Sequence, residues 1–252
     1  GCLSVEPPVD GRVPAHWPSD PKPHQAESRP TLLELTTLDD WLGRADGPGM
    51  RGQRVFVRAD LNVPLDDGRI VDDTRLRASV GTVKRLCAAG ARVILASHLG
   101  RPGGKPLPAL SLAPLAPALA DLSGVPVAFS EDCVGASALA ASEALGDGEI
   151  LLLENLRFHP GETKNEPAFA EALAALADFY VNDAFGTAHR AHASTEGVTH
   201  HLPAVAGLLM EKEREILGTA VTSPERPVTA IVGGAKVSDK VKILEHMVEV
   251  VE

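Results

Sequence analysis

Tyr180-Val181-Asn182-Asp183-Ala184-Phe185-Gly186-Thr187-Ala188-His189-Arg190-Ala191-His192 follows a helical-looking run, begins as an apolar strand and breaks into a polar loop. The loop gathers Asp183, His189, Arg190 and His192 around Gly186. A strand that stops in charged groups is the pattern of the carboxyl edge of a parallel sheet, where ligands of α/β proteins bind. Whether other strands end in the same way decides the reading.

Four more do or nearly do. Residues 53–57 (QRVFV) predict a first strand that runs into Arg58-Ala59-Asp60-Leu61-Asn62-Val63-Pro64. Residues 91–96 (ARVILA) predict a second, ending in Ser97-His98-Leu99-Gly100-Arg101-Pro102. A third is expected at 125–129 and a fourth at 149–153, the latter followed by Glu154-Asn155-Leu156-Arg157-Phe158-His159-Pro160. Between them lie helical patterns at 74–89, 111–122, 134–145 and 167–177, the first opened by Asp72 and Asp73 and closed by Gly90. Regular alternation of strand and helix predicts an α/β fold: a three-layer parallel sheet with right-handed crossovers and helices on both faces, Rossmann-like in architecture.

The domain organisation follows from composition. Residues 1–30 hold seven of the twenty prolines among polar residues with no period, which reads as a disordered extension. Residues 31–206 form the α/β domain. Residues 207–223 read as a helix with a charged outer face, either an ordinary surface helix or a connector between lobes. Residues 224–252 begin a second lobe with one strand at 228–232 and one helix, and a single βα unit is too small to be a domain by itself.

At 252 residues and 44% apolar composition the chain can bury a substantial core. Its net charge of −10 excludes an ordinary nucleic-acid or basic membrane-surface binder. Three scattered cysteines, Cys2, Cys87 and Cys133, form neither a disulfide framework nor a thiolate zinc pattern and fit a reducing, cytoplasmic setting. No run is long enough to span a bilayer, and the Gly1-Cys2 start does not complete an acylation motif, since Val5 stands where Ser or Thr is wanted.

Against this acidic background, His98, Arg101, Arg157 and Arg190 recur at one sheet edge, with Arg75 in the first turn of the following helix. Convergent arginines predict a basic basin for a small, multiply charged anion, which guanidinium forks bind through paired oxygens. Arg75 sits where the helix dipole disfavours a cation, unless an anion binds there. Asp60 and Asn62 either face a hydroxyl of the ligand, or Asp60 pairs with a neighbouring arginine. Gly233-Gly234-Ala235-Lys236 and Lys240 place two lysines on one helix face behind a glycine turn, without Walker A or GxGxxG spacing. His189-x-x-His192 lacks a third metal ligand and reads as a polar loop that orients Arg190, so no residue is assigned to a metal.

Taken together and in this order, the loops at 58–64, 73–75, 97–102, 153–158, 182–192 and 233–240 resemble those of phosphoglycerate kinase, over a span from about Leu32 onward. The resemblance implies a cytoplasmic, monomeric glycolytic phosphotransferase. It would move phosphoryl between 1,3-bisphosphoglycerate and ADP, giving 3-phosphoglycerate and ATP, with Mg2+ and with no nucleic acid or membrane partner. It implies substrate binding by Asp60, Asn62, Arg75, His98, Arg101, Arg157 and Arg190, and catalysis by Arg75 and Lys236. Nucleotide contacts would come from Gly234, Ala235, Lys236 and Lys240. Most of the family's nucleotide lobe, including its magnesium carboxylate, has no counterpart in these residues. The expectation is a chain that binds 3-phosphoglycerate weakly and turns over little, with a purely anion-binding fragment as the alternative.

Overall fold

The computed structural model describes residues 35–43, 49–222, 225–229 and 231. In chain order the elements are helix α1 (Leu38–Leu42), strand β1 (Arg54–Ala59), a hairpin of β2 (Leu65–Asp66) and β3 (Arg69–Ile70), and α2 (Thr74–Ala88). Then come β4 (Arg92–Ala96), α3 (Leu115–Ser123), β5 (Val127–Ser130), α4 (Gly135–Ala144) and β6 (Ile150–Leu153). The remaining elements are α5 (Pro160–Lys164), α6 (Pro167–Ala174), β7 (Phe179–Asp183), β8 (Ala204–Ala206) and α7 (Leu208–Thr222). Six strands make one sheet in the order β5-β6-β4-β1-β7-β8, every neighbouring pair parallel.

Period-two alternation divides the core in two. Val55, Val57, Val93, Leu95, Ile150, Leu152, Phe179 and Val181 pack on one face with Leu76, Val80, Val83 and Leu86 of α2 and Leu115 and Leu119 of α3. Phe56, Ile94, Leu151, Leu153 and Tyr180 pack on the other with Ala138 of α4 and Phe169, Ala170 and Leu173 of α6. Strands covered on both faces read as continuous apolar runs, and that is why 53–57 and 149–153 were legible. The three-layer α/β expectation is met.

Boundaries moved for local reasons. Pro126 has no N–H to give a ladder, so β5 starts at Val127 rather than at 125. Pro114 delays α3 to Leu115, and Gly124, at φ 76°, closes it. At the start of α2, Asp73 occupies the cap position but turns its carboxylate to Arg77 (2.7 and 2.9 Å), and Asp72 Oδ1 instead accepts from Thr74 N at 2.8 Å. Strand β8 and helix α1 were not expected. Ala206 N donates to Thr36 O (2.9 Å), and Thr37 with Asp40 forms a capping box. Of the strand expected at 228–232, Val228, Thr229 and Ile231 are described and lie in no strand; a strand needs a ladder partner, and no described residue pairs with them.

Two features position the site. Parallel pairing puts the loops after β1, β4, β6 and β7 at one edge. The chain then leaves β1 towards β4 on one side and β7 towards β8 on the other, so the strand order reverses between β1 and β7. The helix expected at 207–223 is present as α7. Its first turn is tied down by Leu209 N and Met210 N donating to Asp183 Oδ1 (2.9 and 3.4 Å) and by Leu208 N donating to Thr82 Oγ1 (3.0 Å). Among the described residues no helix is long and apolar enough to cross a membrane.

Candidate anion-binding site

Of the two arginines of β1, Arg54 at its start is half-buried, and Arg58 is fully buried on the face shared with Phe56 and Tyr180. Its Nε donates to Ser194 Oγ (3.0 Å) and its Nη1 to the carbonyl of Ala59; its Nη2 donates to His98 Nδ1 (2.9 Å). Because arginine only donates, His98 Nδ1 must accept, and the proton of the neutral ring is on Nε2. Burial, then the charges of Arg58, Arg157 and Arg190, hold the His98 pKa down at about 2. His98 is therefore a neutral hydrogen-bond donor through Nε2 over the whole physiological range.

The buried Arg58 charge is balanced by Glu162, which is fully buried at the start of α5. Ser194 donates to it from N (3.0 Å) and Oγ (2.7 Å), and His192 Nδ1 lies 3.6 Å from Oε1. Burial alone would raise the pKa of Glu162; His192, Arg58 and the Ser194 donors outweigh it, and the net direction is down. Glu162 is thus the counter-charge under the basin.

Arg157 follows β6 in a 3-10 turn capped by Asn155, whose Oδ1 accepts from Arg157 N (3.1 Å). Asn155 also donates to the carbonyls of Leu99 (2.8 Å) and Leu110 (2.9 Å), so one buried amide ties the loop after β6 to both ends of the loop after β4. Arg157 Nη1 donates to Gly100 O (2.9 Å), and Gly100 N donates to Asn62 Oδ1 (2.8 Å). Gly100, at φ 62°, is where the β1 and β6 loops meet, and a Cβ there would approach Leu110 Cδ2 to 2.9 Å. Arg157 Nε and Nη2 are buried with no partner among the described residues. Burial, then Arg190 and Arg58, lower its pKa without threatening its charge.

Those two orphan donors belong to a side chain that lines a cavity of about 400 Å³. Arg101, Arg190, His192 and Lys164 line the same cavity, together with Gly104 and Pro160. The sequence-predicted Arg101, Arg157 and Arg190 are therefore brought together, and Arg190 Nε is held 3.3 Å from His189 Nε2. Asp60 and Asn62 stand at the neighbouring loop, and Arg75 Nη1 donates to Asp60 Oδ2. Of the two readings left open for Asp60, pairing with an arginine is the one this conformation adopts. Gly186 fits beside the pair: a Cβ there would lie 3.0 Å from Asp60 Oδ2. Gly234, Ala235, Lys236 and Lys240 lie outside the described residues.

Arg58, Glu162, Ser194 and Lys164 were not singled out from the sequence. Arg58 carried a signal, since a charge directly after the apolar run Val55-Phe56-Val57 of a buried strand requires a buried partner. Glu162 and Ser194 carried none, because their pairing depends on contacts across 32 residues.

Fold and site together define an α/β protein with an arginine-lined cavity at the carboxyl edge of its sheet. The profile of the family described as "Phosphoglycerate kinase" matches residues 46–252. This chain belongs to the phosphoglycerate kinase family. It is 58% identical over 203 residues to phosphoglycerate kinase of Moorella thermoacetica, covering 81% of this chain and 52% of that one. It is 51% identical over 243 residues to chloroplastic phosphoglycerate kinase 2 of Arabidopsis thaliana, covering 96% and 50%. This second match extends into the Pro-rich first 30 residues, which the resemblance had left outside the family pattern.

Among solved structures, phosphoglycerate kinase from Pyrococcus horikoshii OT3 superposes with a TM-score of 0.74 at 34% identity, covering 85% of this chain and 53% of that one. The enzyme from Coxiella burnetii gives 0.70 at 38%, covering 82% and 52%. The chain spans about half the length of the relatives it matches.

Proposed function

We propose that the basin binds 3-phosphoglycerate and that the protein is the glycolytic phosphoglycerate kinase, transferring phosphoryl between 1,3-bisphosphoglycerate and ADP to give 3-phosphoglycerate and ATP. The observation that carries this reading is Arg157, a buried guanidinium with two donors unpartnered among the described residues, on a cavity shared with Arg101, Arg190 and His192. Leaving such donors unpaired costs about 1–3 kcal/mol or more, which a bound anion repays.

In this reading Arg101, Arg157, Arg190 and the Nε2–H of His98 hold the substrate phosphate. Asp60 and Asn62 take the hydroxyl side, and Arg75, exchanging Asp60 for ligand, reaches the reacting carboxyl end. In ATP synthesis a β-phosphate oxygen of ADP attacks the acyl phosphate and the carboxylate leaves, so no strong general base is needed and charge neutralisation dominates. Lys236 would face the transferring group and Gly234, Ala235 and Lys240 the nucleotide phosphates, with Mg2+ neutralising nucleotide charge. Residues 31–206 would form the phosphoglycerate domain, 207–223 the connector and 224–252 the start of the nucleotide domain.

Calorimetric titration of 3-phosphoglycerate into the 252-residue chain tests the binding step. Saturable one-to-one binding that weakens with salt is expected. Absence of heat at millimolar ligand would overturn it.

A further inference from the structure

Away from the basin, the turn after β6 brings His159 up to the adjacent Asp132 and Cys133 of the loop after β5. A carboxylate oxygen of Asp132, the Cys133 sulfur and a nitrogen of His159 all lie within 4.8 Å of one another. Cys133 is buried, and Asp132 and His159 are half-buried, so the cluster has an apolar floor and a solvent side. We infer that Asp132, Cys133 and His159 form a binding site for a borderline-soft divalent cation of the Zn2+ class, with the fourth tetrahedral position open to water.

The donor set selects the ion. Sulfur, imidazole and carboxylate in one place suit Zn2+, whereas Mg2+ and Ca2+ want oxygen alone. The ligands are also held in place before any ion arrives. Asp132 Oδ1 accepts from Cys133 N (2.7 Å) and Val134 N (3.4 Å), and Ser130 Oγ donates to Asp132 O (2.7 Å). His159 stacks on Phe169, with ring centroids 5.2 Å apart, and its Nε2 lies 2.7 Å from Asp132 Oδ1. Little ordering entropy is left to lose on binding.

The proton inventory is simple. With neutral His159, Nε2–H donates to Asp132; on metal binding that proton transfers to Nδ1 through solvent, and the freed Nε2 pair becomes a ligand. The Cys133 thiol loses its proton to solvent, so each ion releases one proton and nothing is oxidised or reduced. His159 lies between Arg157 and the α5 residues Pro160, Thr163 and Lys164 that wall the cavity. A bound ion would tie that wall to the loop preceding α4.

Co2+ titration of the reduced chain tests the site. One Co2+ per chain is expected, with a thiolate-to-cobalt charge-transfer band and intense four-coordinate ligand-field bands, both bleached by Zn2+ and untouched by Mg2+. Cys133→Ser should abolish the charge-transfer band, while the Cys2→Ser/Cys87→Ser double variant keeps it. His159→Gln, at a partly exposed position that leaves the fold intact, should weaken Co2+ at least about tenfold. No charge-transfer band in the wild type, a band that survives Cys133→Ser, or unchanged affinity in His159→Gln would each overturn the proposal.

Discussion

Replacing Asp183 by Asn should stabilise this protein at neutral pH, although Asp183 caps a helix. The carboxylate is fully buried at the end of β7, with Oδ1 accepting from Leu209 N and Met210 N and Oδ2 without a hydrogen-bond partner among the described residues. Burial raises its pKa from an ordinary 3.8 to about 6, against the opposing effect of Thr82 and the two helix amides. A carboxyl whose folded pKa exceeds its unfolded one binds its proton more tightly when folded, so its contribution to stability falls as pH rises from about 4 to 6. At about 1.4 kcal/mol per pKa unit, the ionised form at pH 7 costs about 3 kcal/mol relative to the neutral one. Asparagine keeps the Oδ1 acceptor and removes the charge.

His98 has the opposite sign. Its pKa is depressed from 6.5 to about 2, so its contribution is fully present above about 6.5 and is lost as pH falls. Between about pH 4 and 6 the two slopes, each about 1.4 kcal/mol per pH unit, nearly cancel in the wild type. Urea unfolding of wild type and Asp183→Asn followed by circular dichroism at several pH values isolates the Asp183 part. The stability difference should be near zero at about pH 4 and grow to about 3 kcal/mol in favour of the variant by pH 7. A difference that does not change with pH, or a variant that loses stability as pH rises, would refute the reasoning.

Other substitutions separate folding from binding. Arg157→Met should leave urea stability unchanged or improved, since it removes a buried charge with unpaired donors, yet weaken 3-phosphoglycerate in calorimetry by about thirtyfold or more, about 2 kcal/mol. Glu162→Gln strands the buried Arg58 charge and should cost about 3–5 kcal/mol in urea unfolding; a loss under about 1 kcal/mol contradicts its counter-charge role. Gly207→Ala brings a Cβ to 2.3 Å from Asp183 Oδ1 and should cost about 1–3 kcal/mol, a penalty that shrinks in an Asp183→Ala background if the clash is its cause.

The legible and illegible parts of this protein differ physically. The central strands were readable because both faces are covered, which leaves an unbroken apolar signature, as in Ile150–Leu153. The basin was readable because parallel strands force their terminal loops to converge, so Arg101, Arg157 and Arg190 met as expected. Strand β8, three residues long, had no period to detect, and its pairing with Tyr180 to Asn182 is a tertiary fact. Glu162 looked like any acidic residue in a polar stretch. Its burial under Arg58 follows from packing, and so does the meeting of Cys133 with His159. Local spacing carries neither.

The central claim is that 3-phosphoglycerate sits at the carboxyl edge of the sheet on the guanidinium of Arg157. Nitrogen-15 correlation spectra that include arginine side chains, recorded during titration with 3-phosphoglycerate, test it most directly. The Nε–Hε signals of Arg157 and Arg190 and the backbone amides of Gly100 and Gly104 should shift together and saturate at one equivalent, while amides of α3 and α4 stay fixed. Saturating shifts confined to other surfaces, with the Arg157 signal unmoved, would contradict the account.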